Sequence, residues 1–284
     1  MTPSRLFCFG LGYSARRFAL GLMSEGWQVA GTARDAESVS ELRDLGINAV
    51  QFDWDHPVDD LAGRLQGVTH VLSSVPPDDE GDAVLDVHAG DLAGMIDWIG
   101  YLSTTGVYGN RDGGTVKEGD ALEPTSKRAR NRALAEKRWL DLGAHAFRLA
   151  GIYGPGRNVL EDVRAGRAKR LDKPGHVFSR IHVDDIANVL KASMARPNTG
   201  TIYNVCDDEA SEPMHVVTFA CELVGIQPPP IIPFEEARKE MSAMALTFWG
   251  DNKRVDNSRI KQDLGVELTY PDFRSGLKAI LEKE

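Results

Sequence analysis

A strand that runs into a glycine-rich turn and leaves it as a helix is the feature that most restricts this chain. Residues 7–26 read FCFGLGYSARRFALGLMSEG, with Gly10, Gly12 and Ala15 in GxGxxA spacing. The apolar run Arg5–Phe9 precedes them and the helix-period stretch Ser14–Glu25 follows. In that context each residue type has a physical purpose. Gly10 permits a tight turn, Gly12 lets a backbone approach an anion, and Ala15 allows close helix–strand packing. Tyr13 and Ser14, at the helix start, offer N–H groups to the anion, which in this geometry is the pyrophosphate of a dinucleotide. The competing reading is a structural glycine turn that binds nothing.

The rest of the chain agrees with a parallel sheet and crossover helices. Short apolar runs recur at Trp27–Ala33, Ile47–Phe52, Val68–Val75, Trp98–Ser103 and Ala144–Ala150. Helix-period segments such as Ala36–Leu45 and Thr125–Leu142 separate them. The crossover Asp82–Ile96 is short for its place. The expected architecture is an α/β Rossmann fold, a doubly wound parallel sheet with a smaller C-terminal substrate region. The dinucleotide domain is expected over residues 1–155 plus about 177–206, with TIYNV (Thr201–Val205) returning to the sheet. The substrate region is expected over about 156–176 and 207–284. QPPPIIP (Gln227–Pro233) reads as an extended connector, since proline continues neither helix nor central strand. Arg259–Glu284 reads as a helical cap with a YPD turn.

The cofactor's identity is read at the end of the second strand, GTARD. An NAD site places a carboxylate there for the ribose hydroxyls, whereas Thr32 holds that position here and Arg34 follows. An arginine fork suits a 2′-phosphate that a carboxylate would repel, which favours NADP(H) over NAD(H). In the alternative, Arg34 is solvated and Asp35 reaches the ribose. Asp53, after the third strand, is placed either to accept from an adenine amino group or to cap the next turn. Ser73, Ser74 and Val75 end the fourth strand, where open α/β sheets contact their ligands.

Charge and cysteine usage exclude several classes. Among 284 residues, 33 Lys+Arg against 42 Asp+Glu give a net charge of −9, which argues against a nucleic-acid surface. No apolar run approaches the ~18 residues of a membrane helix. Cys8, Cys206 and Cys221 lack metal-ligand spacing, and their odd number suits a reducing compartment. The expectation is a cytoplasmic protein with no metal site and no nucleic-acid or membrane partner.

Three later segments carry a resemblance. YLSTTGVYG (Tyr101–Gly109), FRLAGIYGPGRN (Phe147–Asn158) and RIHVDDIANVL (Arg180–Leu190) resemble landmarks of the extended short-chain dehydrogenase/reductases, the NAD-dependent epimerase/dehydratase group. With the glycine motif and the LGVELTYPDFRSGLKAIL ending, the resemblance spans nearly the whole chain. It implies a Rossmann domain for NAD(P), a C-terminal region over a small-molecule substrate that is often a nucleotide sugar, and a homodimer through a helix pair. It also implies a Ser/Thr that falls on Thr104, and a YxxxK pair whose tyrosine acts as general acid/base.

That pair is absent. In EPTSKRARNRALAEK the tyrosine position falls on Arg128 and the lysine position on Arg132, and no tyrosine occurs between Tyr108 and Tyr153. An arginine stays protonated and cannot shuttle a proton as a phenol does. The departure resembles the atypical, YeeZ-like subgroup, whose members keep the cofactor site and lose much of the catalytic set. Candidate catalytic residues are then Thr104, Arg132 as a nicotinamide-ribose or phosphate donor, and Tyr153 as a replacement acid. Tyr108 and His182 are further titratable groups, each read equally as a packing residue. Asp184 and Asp185 read as caps of the following helix. The basic stretch Arg164–Lys173, with Arg157 and Arg180, reads either as a solvated face or as a rim for an anionic substrate, to which Arg128 and Tyr108 would add contacts. Two functions follow: an NADP(H)-dependent oxidoreductase or epimerase/dehydratase-like enzyme on a small polar, nucleotide-linked or sugar substrate, or a non-catalytic NADP(H)-binding redox sensor.

Overall fold

A computed structural model describes residues 4–92 and 96–284. Its strands are, in chain order, β1 (Arg5–Phe9), β2 (Gln28–Ala33), β3 (Asn48–Gln51), β4 (His70–Ser73), β5 (Trp98–Thr104), β6 (Thr115–Val116), β7 (His145–Leu149), β8 (Gly151–Tyr153), β9 (Arg170–Asp172), β10 (Arg180–His182), β11 (Ile202–Val205), β12 (Ile231–Pro233) and β13 (Arg254–Val255). Seven form one parallel sheet in the order β11-β7-β5-β4-β1-β2-β3. The chain moves outward from β1 to β3 and then restarts on the other side at β4, so the switch point lies between β1 and β4. Open α/β sheets take their ligands at the carboxyl ends there. The expected Rossmann-type α/β fold is therefore the observed one.

The chain forms two compact units. One comprises Met1–Thr104, Arg130–Arg148 and Ile186–Tyr203; the other comprises Thr105–Ala129, Leu149–Asp185 and Asn204–Glu284. The first unit is smaller than residues 1–155 plus 177–206, because the segments after β5 and after Arg148 pack with the C-terminal half.

In the first unit α1 (Tyr13–Ser24), α2 (Ala36–Asp44), α3 (Leu61–Arg64), α4 (Ala83–His88) and α5 (Lys127–Asp141, from Arg130 on) flank the sheet. Phe7 and Phe9 of β1 are buried with Val71, Tyr101 and Trp139 in a single apolar core. The short crossover resolves into α4 followed by a 3-10 turn at Ala89–Leu92. The rest of that expected segment, residues 93–95, lies outside the described residues, as do residues 1–3 before β1.

A buried polar group sits inside this apolar frame. Glu136 on α5 is 2% exposed and accepts from Arg148 of β7, Nη2 to Oε1 at 2.6 Å and Nε to Oε2 at 3.2 Å. Ser103 of β5 donates to the other carboxylate oxygen, Oε2, at 2.5 Å. Three elements are thus tied to one carboxylate.

The second unit carries α6 (Val159–Arg164), the first turn of α7 (Val183–Ala195), α8 (Pro213–Val224), α9 (Phe234–Ala237), α10 (Ala243–Phe248), α11 (Ser258–Leu264) and α12 (Phe273–Glu282). Its core joins Leu160 and Val163 to Val217, Ala220, Phe273 and Leu277. The proline-rich connector ends in β12, which pairs in parallel with β9. The YPD turn supplies the cap of α12, since the Asp272 carboxylate accepts from the Ser275 amide at 2.8 Å. Asp184 and Asp185 lie in the first turn of α7, and Asp185 also serves a second segment. Its carboxylate reaches the amides of Thr269 and Tyr270 at 2.8 and 2.9 Å and so anchors that same turn.

Removing one partner from the buried pair leaves a desolvated charge. Arg148→Met is expected to lose about 3–5 kcal/mol in urea denaturation. The double variant Glu136→Leu/Arg148→Met is expected to lose less than that single change.

Candidate functional site

The glycine turn is assembled from three strand ends of the first unit. Gly10 follows β1 with φ of +78°, and a Cβ there would come within 3.0 Å of Val75 Cγ2. Its amide donates to Thr32 Oγ1 at 2.9 Å, the Leu11 amide donates to the Thr32 carbonyl at 2.8 Å, and the Ser74 hydroxyl donates to the Gly10 carbonyl. Gly12 then caps α1 with extended backbone, no side chain caps the first turn, and no acidic residue lies in it. A Cβ added at Gly12 would meet nothing within 4 Å. The protein's own packing does not demand glycine at that position, but a group seated against the backbone would. An exposed glycine cap on a helix N-terminus without acidic neighbours fits a pyrophosphate, by amide hydrogen bonds and by the helix dipole. Ala15, 1% exposed, lies in the buried face of α1, as close helix–sheet packing requires.

The neighbouring candidates divide. Thr32 is buried, and its hydroxyl faces Gly10, so it braces the turn rather than presenting to a ribose. Asp35 is the N-cap of α2 and accepts from the Ser38 amide at 2.8 Å and the Ser38 hydroxyl at 3.0 Å, bonds that lower its pKa. Arg34 is exposed between them, with its carbonyl accepting from Gln51 Nε2. Asp53 takes the capping role of its two readings: Oδ1 accepts from the Asp55 and His56 amides and lies 2.7 Å from His56 Nδ1. The Ser73 hydroxyl is fully buried without a hydrogen-bond partner, and Val75 packs beside Gly10.

Thr104 ends β5 half-buried. Arg132 is not presented to a ligand as expected. It is 9% exposed, and its Nη1 donates to the Leu102 carbonyl at 2.8 Å and the Tyr101 hydroxyl at 3.2 Å, with the guanidinium beside the Tyr101 ring. In the other unit Arg128 is exposed on the first turn of α5. Tyr108 is wholly buried and donates to Asn204 Oδ1 at 2.7 Å. The Tyr153 hydroxyl donates to the Asp272 carbonyl at 3.3 Å, its ring meets His182 edge-on at 5.2 Å, and burial pushes its pKa further above the ordinary phenol value. That geometry belongs to packing and hydrogen bonding rather than to an acid working near neutrality. Of the six tyrosines, only Tyr13 is not buried.

Most of the basic stretch is engaged within the second unit. Arg164 pairs with Glu284 and Arg167 with Asp162, Arg170 donates to the Pro229 carbonyl, and Lys173 donates to the Trp249 carbonyl while its ammonium lies 4.3 Å from the Phe234 ring centre. Arg157 and Arg180 line a cavity of about 280 Å³ together with Tyr153, Val216, Phe273 and Leu277. Arg180 is held by the Phe178 and Ser211 carbonyls.

One group went unread in the sequence. Asp207, after β11, is 3% exposed, and no amide or side chain makes a well-formed hydrogen bond to either carboxylate oxygen. Burial pushes its pKa up to about 8, against the pull of the Arg180 charge. The only sequence signal was an acidic pair directly after an apolar strand. Among the described residues no His, Cys, Asp and Glu cluster could hold a metal ion, and no helix is long and apolar enough to cross a membrane.

Comparison with known proteins finds relatives along nearly the whole chain. No protein-family model matches the chain. Protein YeeZ of Escherichia coli (strain K12) is 29% identical over 279 residues, covering 93% of this chain and 95% of that protein. A solved structure of a functionally unknown conserved protein from Silicibacter pomeroyi DSS is 45% identical, covers 99% of both chains and superposes with a TM-score of 0.90. The dTDP-glucose 4,6-dehydratase of Bacillus anthracis str. Ames, solved in complex with NAD, shares 16% identity over 98% of this chain and 96% of its own, with a TM-score of 0.76, a likeness of fold.

Asp207 gives a pH signature. Above about pH 4 an unfolded aspartate is ionised, whereas the folded group keeps its proton to about pH 8. The unfolded state binds fewer protons across that window, so this group's contribution to stability falls as pH rises from about 4 to about 8, by at most about 1.4 kcal/mol per pH unit. Asp207→Asn removes the effect, and urea denaturation is expected to find the variant gaining on the parent protein between the acidic and the alkaline end of the window.

Proposed function

We propose that the chain is an atypical member of the extended short-chain dehydrogenase/reductases of the epimerase/dehydratase group, an NADP(H)-dependent oxidoreductase or epimerase/dehydratase-like enzyme acting on a small polar, nucleotide-linked or sugar substrate. The observation that carries the dinucleotide is Gly12, whose missing side chain leaves open space at an uncapped helix start. Choice of NADP(H) rests on Arg34, the exposed charge at the end of β2, and on Asp35, whose carboxylate is occupied as a helix cap. When bound, a nicotinamide dinucleotide supplies hydride exchange at C4 of its ring.

The chain's own residues do the remainder. The amides from Gly12 to Ala15 at the start of α1 would hold the pyrophosphate, and Arg34 would hold the 2′-phosphate with charge-assisted hydrogen bonds. Ser73–Val75 wall the turn, with the Ser74 hydroxyl holding Gly10 in register. Thr104, at the carboxyl end of β5, polarises the reacting oxygen of the substrate. Arg128, Arg157 and Arg180 favour an anionic substrate. Water takes the proton role, since no buried phenol offers it, and losing a positioned acid/base costs roughly 10²- to 10⁴-fold in rate. The protein works in the cytoplasm, where its three buried thiols stay reduced, and as a homodimer, for which the exposed Leu134 of α5 offers apolar surface.

The burial of Tyr101, Tyr108, Tyr153, Tyr203 and Tyr270 favours a second reading, a non-catalytic NADP(H)-binding protein that reports redox state.

Parallel calorimetric titrations with NADPH and NADH are expected to give tighter NADPH binding. Arg34→Ala should weaken NADPH roughly 10- to 100-fold and NADH little; equal weakening removes the NADP assignment. Gly12→Ala should abolish binding of both while leaving the urea midpoint unchanged. Transfer of label from 4-deuterated NADPH to a nucleotide-sugar panel supports the enzyme, and retention of all label by a binding-competent protein supports the sensor.

A further inference from the structure

Within the second unit, the cavity of about 280 Å³ has an apolar lining made by Ile152, Val159, Val216, Phe273 and Leu277. Its polar lining is mostly spent on the protein itself. Asn158 donates from Nδ2 to the Gly154 carbonyl at 3.1 Å and accepts on Oδ1 from the Leu160 amide at 2.9 Å. Asp162 pairs with Arg167 at 2.8 Å, and the Tyr153 hydroxyl donates to the Asp272 carbonyl at 3.3 Å. A hydroxyl-rich ligand would find few side-chain partners on these walls.

Arg180 is the exception. It is half-buried, and among the described residues its hydrogen bonds all leave from Nη1, to the Phe178 carbonyl at 2.9 Å and the Ser211 carbonyl at 3.2 Å. Those bonds hold the guanidinium in place and leave Nε and Nη2, the adjacent donors of one edge, without a protein acceptor. No acidic side chain forms an ion pair with it among those residues. Glu209 pairs instead with Arg274 at 2.7 Å, and Asp207 keeps its proton to about pH 8. A half-buried cation without a counter-ion is costly, and a ligand carboxylate would meet Nε–H and Nη2–H in parallel. Arg157, exposed where it lines the cavity, adds a second positive charge. We propose that this cavity binds a small carboxylate with an apolar body, an aryl- or alkyl-carboxylate, seated on the Nε–Nη2 edge of Arg180. The proposal rests on the anionic-substrate reading above and narrows it. At about 280 Å³ the cavity lies at the small end of ligand sites, which run from roughly 300 to 1,000 Å³. It suits one ring or short chain with one charge, rather than a base, two phosphates and two sugar rings.

Calorimetric titrations of the full chain with 3-phenylpropionate, its amide, phenyl phosphate and UDP-glucose test the ligand class. The carboxylate is expected to bind roughly 10-fold or more tightly than each of the others; the amide keeps its shape and loses its charge. Arg180→Lys keeps a charge and loses the fork, and should weaken the carboxylate roughly 10-fold; Arg180→Met should weaken it roughly 10- to 100-fold. Val216→Phe leaves the bonds of Arg180 in place and fills apolar space, and should cost roughly 10-fold or more. That second kind of variant reads out the cavity even where a change at Arg180 unfolds the protein. Equal binding of acid and amide, or unchanged carboxylate affinity in Val216→Phe, overturns the proposal. Tighter binding of phenyl phosphate or UDP-glucose overturns it too, while the anionic-substrate reading stands. Binding of none of the three anions overturns both, and titrations with NADPH report on the dinucleotide site separately.

Discussion

Glu136 and Arg148 form a nearly solvent-free ion pair in the middle of an apolar unit, and such a pair persists only where every lone pair and donor is met. Ser103 meets the second carboxylate oxygen, and the guanidinium binds side-on through Nε and Nη2. The consequence is geometric more than energetic, because a hydrophobic trio of similar volume could be as stable. It fixes the rotation of α5 against β5 and β7. With Glu136 inward, the residue one turn earlier, Arg132, also points inward, and its guanidinium finds the Leu102 carbonyl and the Tyr101 hydroxyl. The first unit thus orients α5 with charges and uses one of the two arginines of RxxxR to do it.

The dinucleotide edge shows a second arrangement of charge. β2 ends in Thr32, Ala33, Arg34 and Asp35, and each polar side chain takes a different direction. Thr32 turns inward to Gly10, Asp35 turns along the chain to Ser38, and Arg34 is exposed between them. The turn at Gly10 is held by bonds from Thr32 and Ser74 on both sides of β1, so its shape exists before any ligand arrives.

How much of this was legible in the chain follows from how local each requirement is. The Gly10–Ala15 turn, the parallel sheet and the run of strands from β1 to β5 rest on short-range spacing and on apolar periodicity, and both read directly. Thr32 was read at the position of an NAD site's carboxylate, and sequence gives the position of a side chain but not its direction. Arg132 failed for the same reason: its register was right, and its inward turn is imposed by Glu136. The basic run from Arg164 to Lys173 read as either a solvated face or an anion rim, because its partners include Glu284, Pro229 and Trp249, each far away along the chain. Asp207 was invisible because its burial arises where β11 returns beside Arg180, a contact that no local pattern announces.

The replacement of a phenol and an ammonium by two guanidinium groups also bears on which chemistry the fold can support. A guanidinium keeps its proton, so it stabilises a developing oxyanion and binds phosphate, but it cannot accept a proton and return it. An epimerisation must remove a hydroxyl proton and restore one within each turnover, and that demands a group that titrates near working pH. A net reduction needs a proton delivered once, after negative charge has formed on oxygen, and water can supply it there. Binding without turnover needs no proton at all. With Arg132 buried and the phenols of Tyr101, Tyr108 and Tyr153 packed away, neither the guanidinium groups nor these phenols supply that titrating group. The remaining polar group at the end of β5, Thr104, donates and accepts hydrogen bonds without titrating, which suits polarising an oxygen and does not suit exchanging its proton.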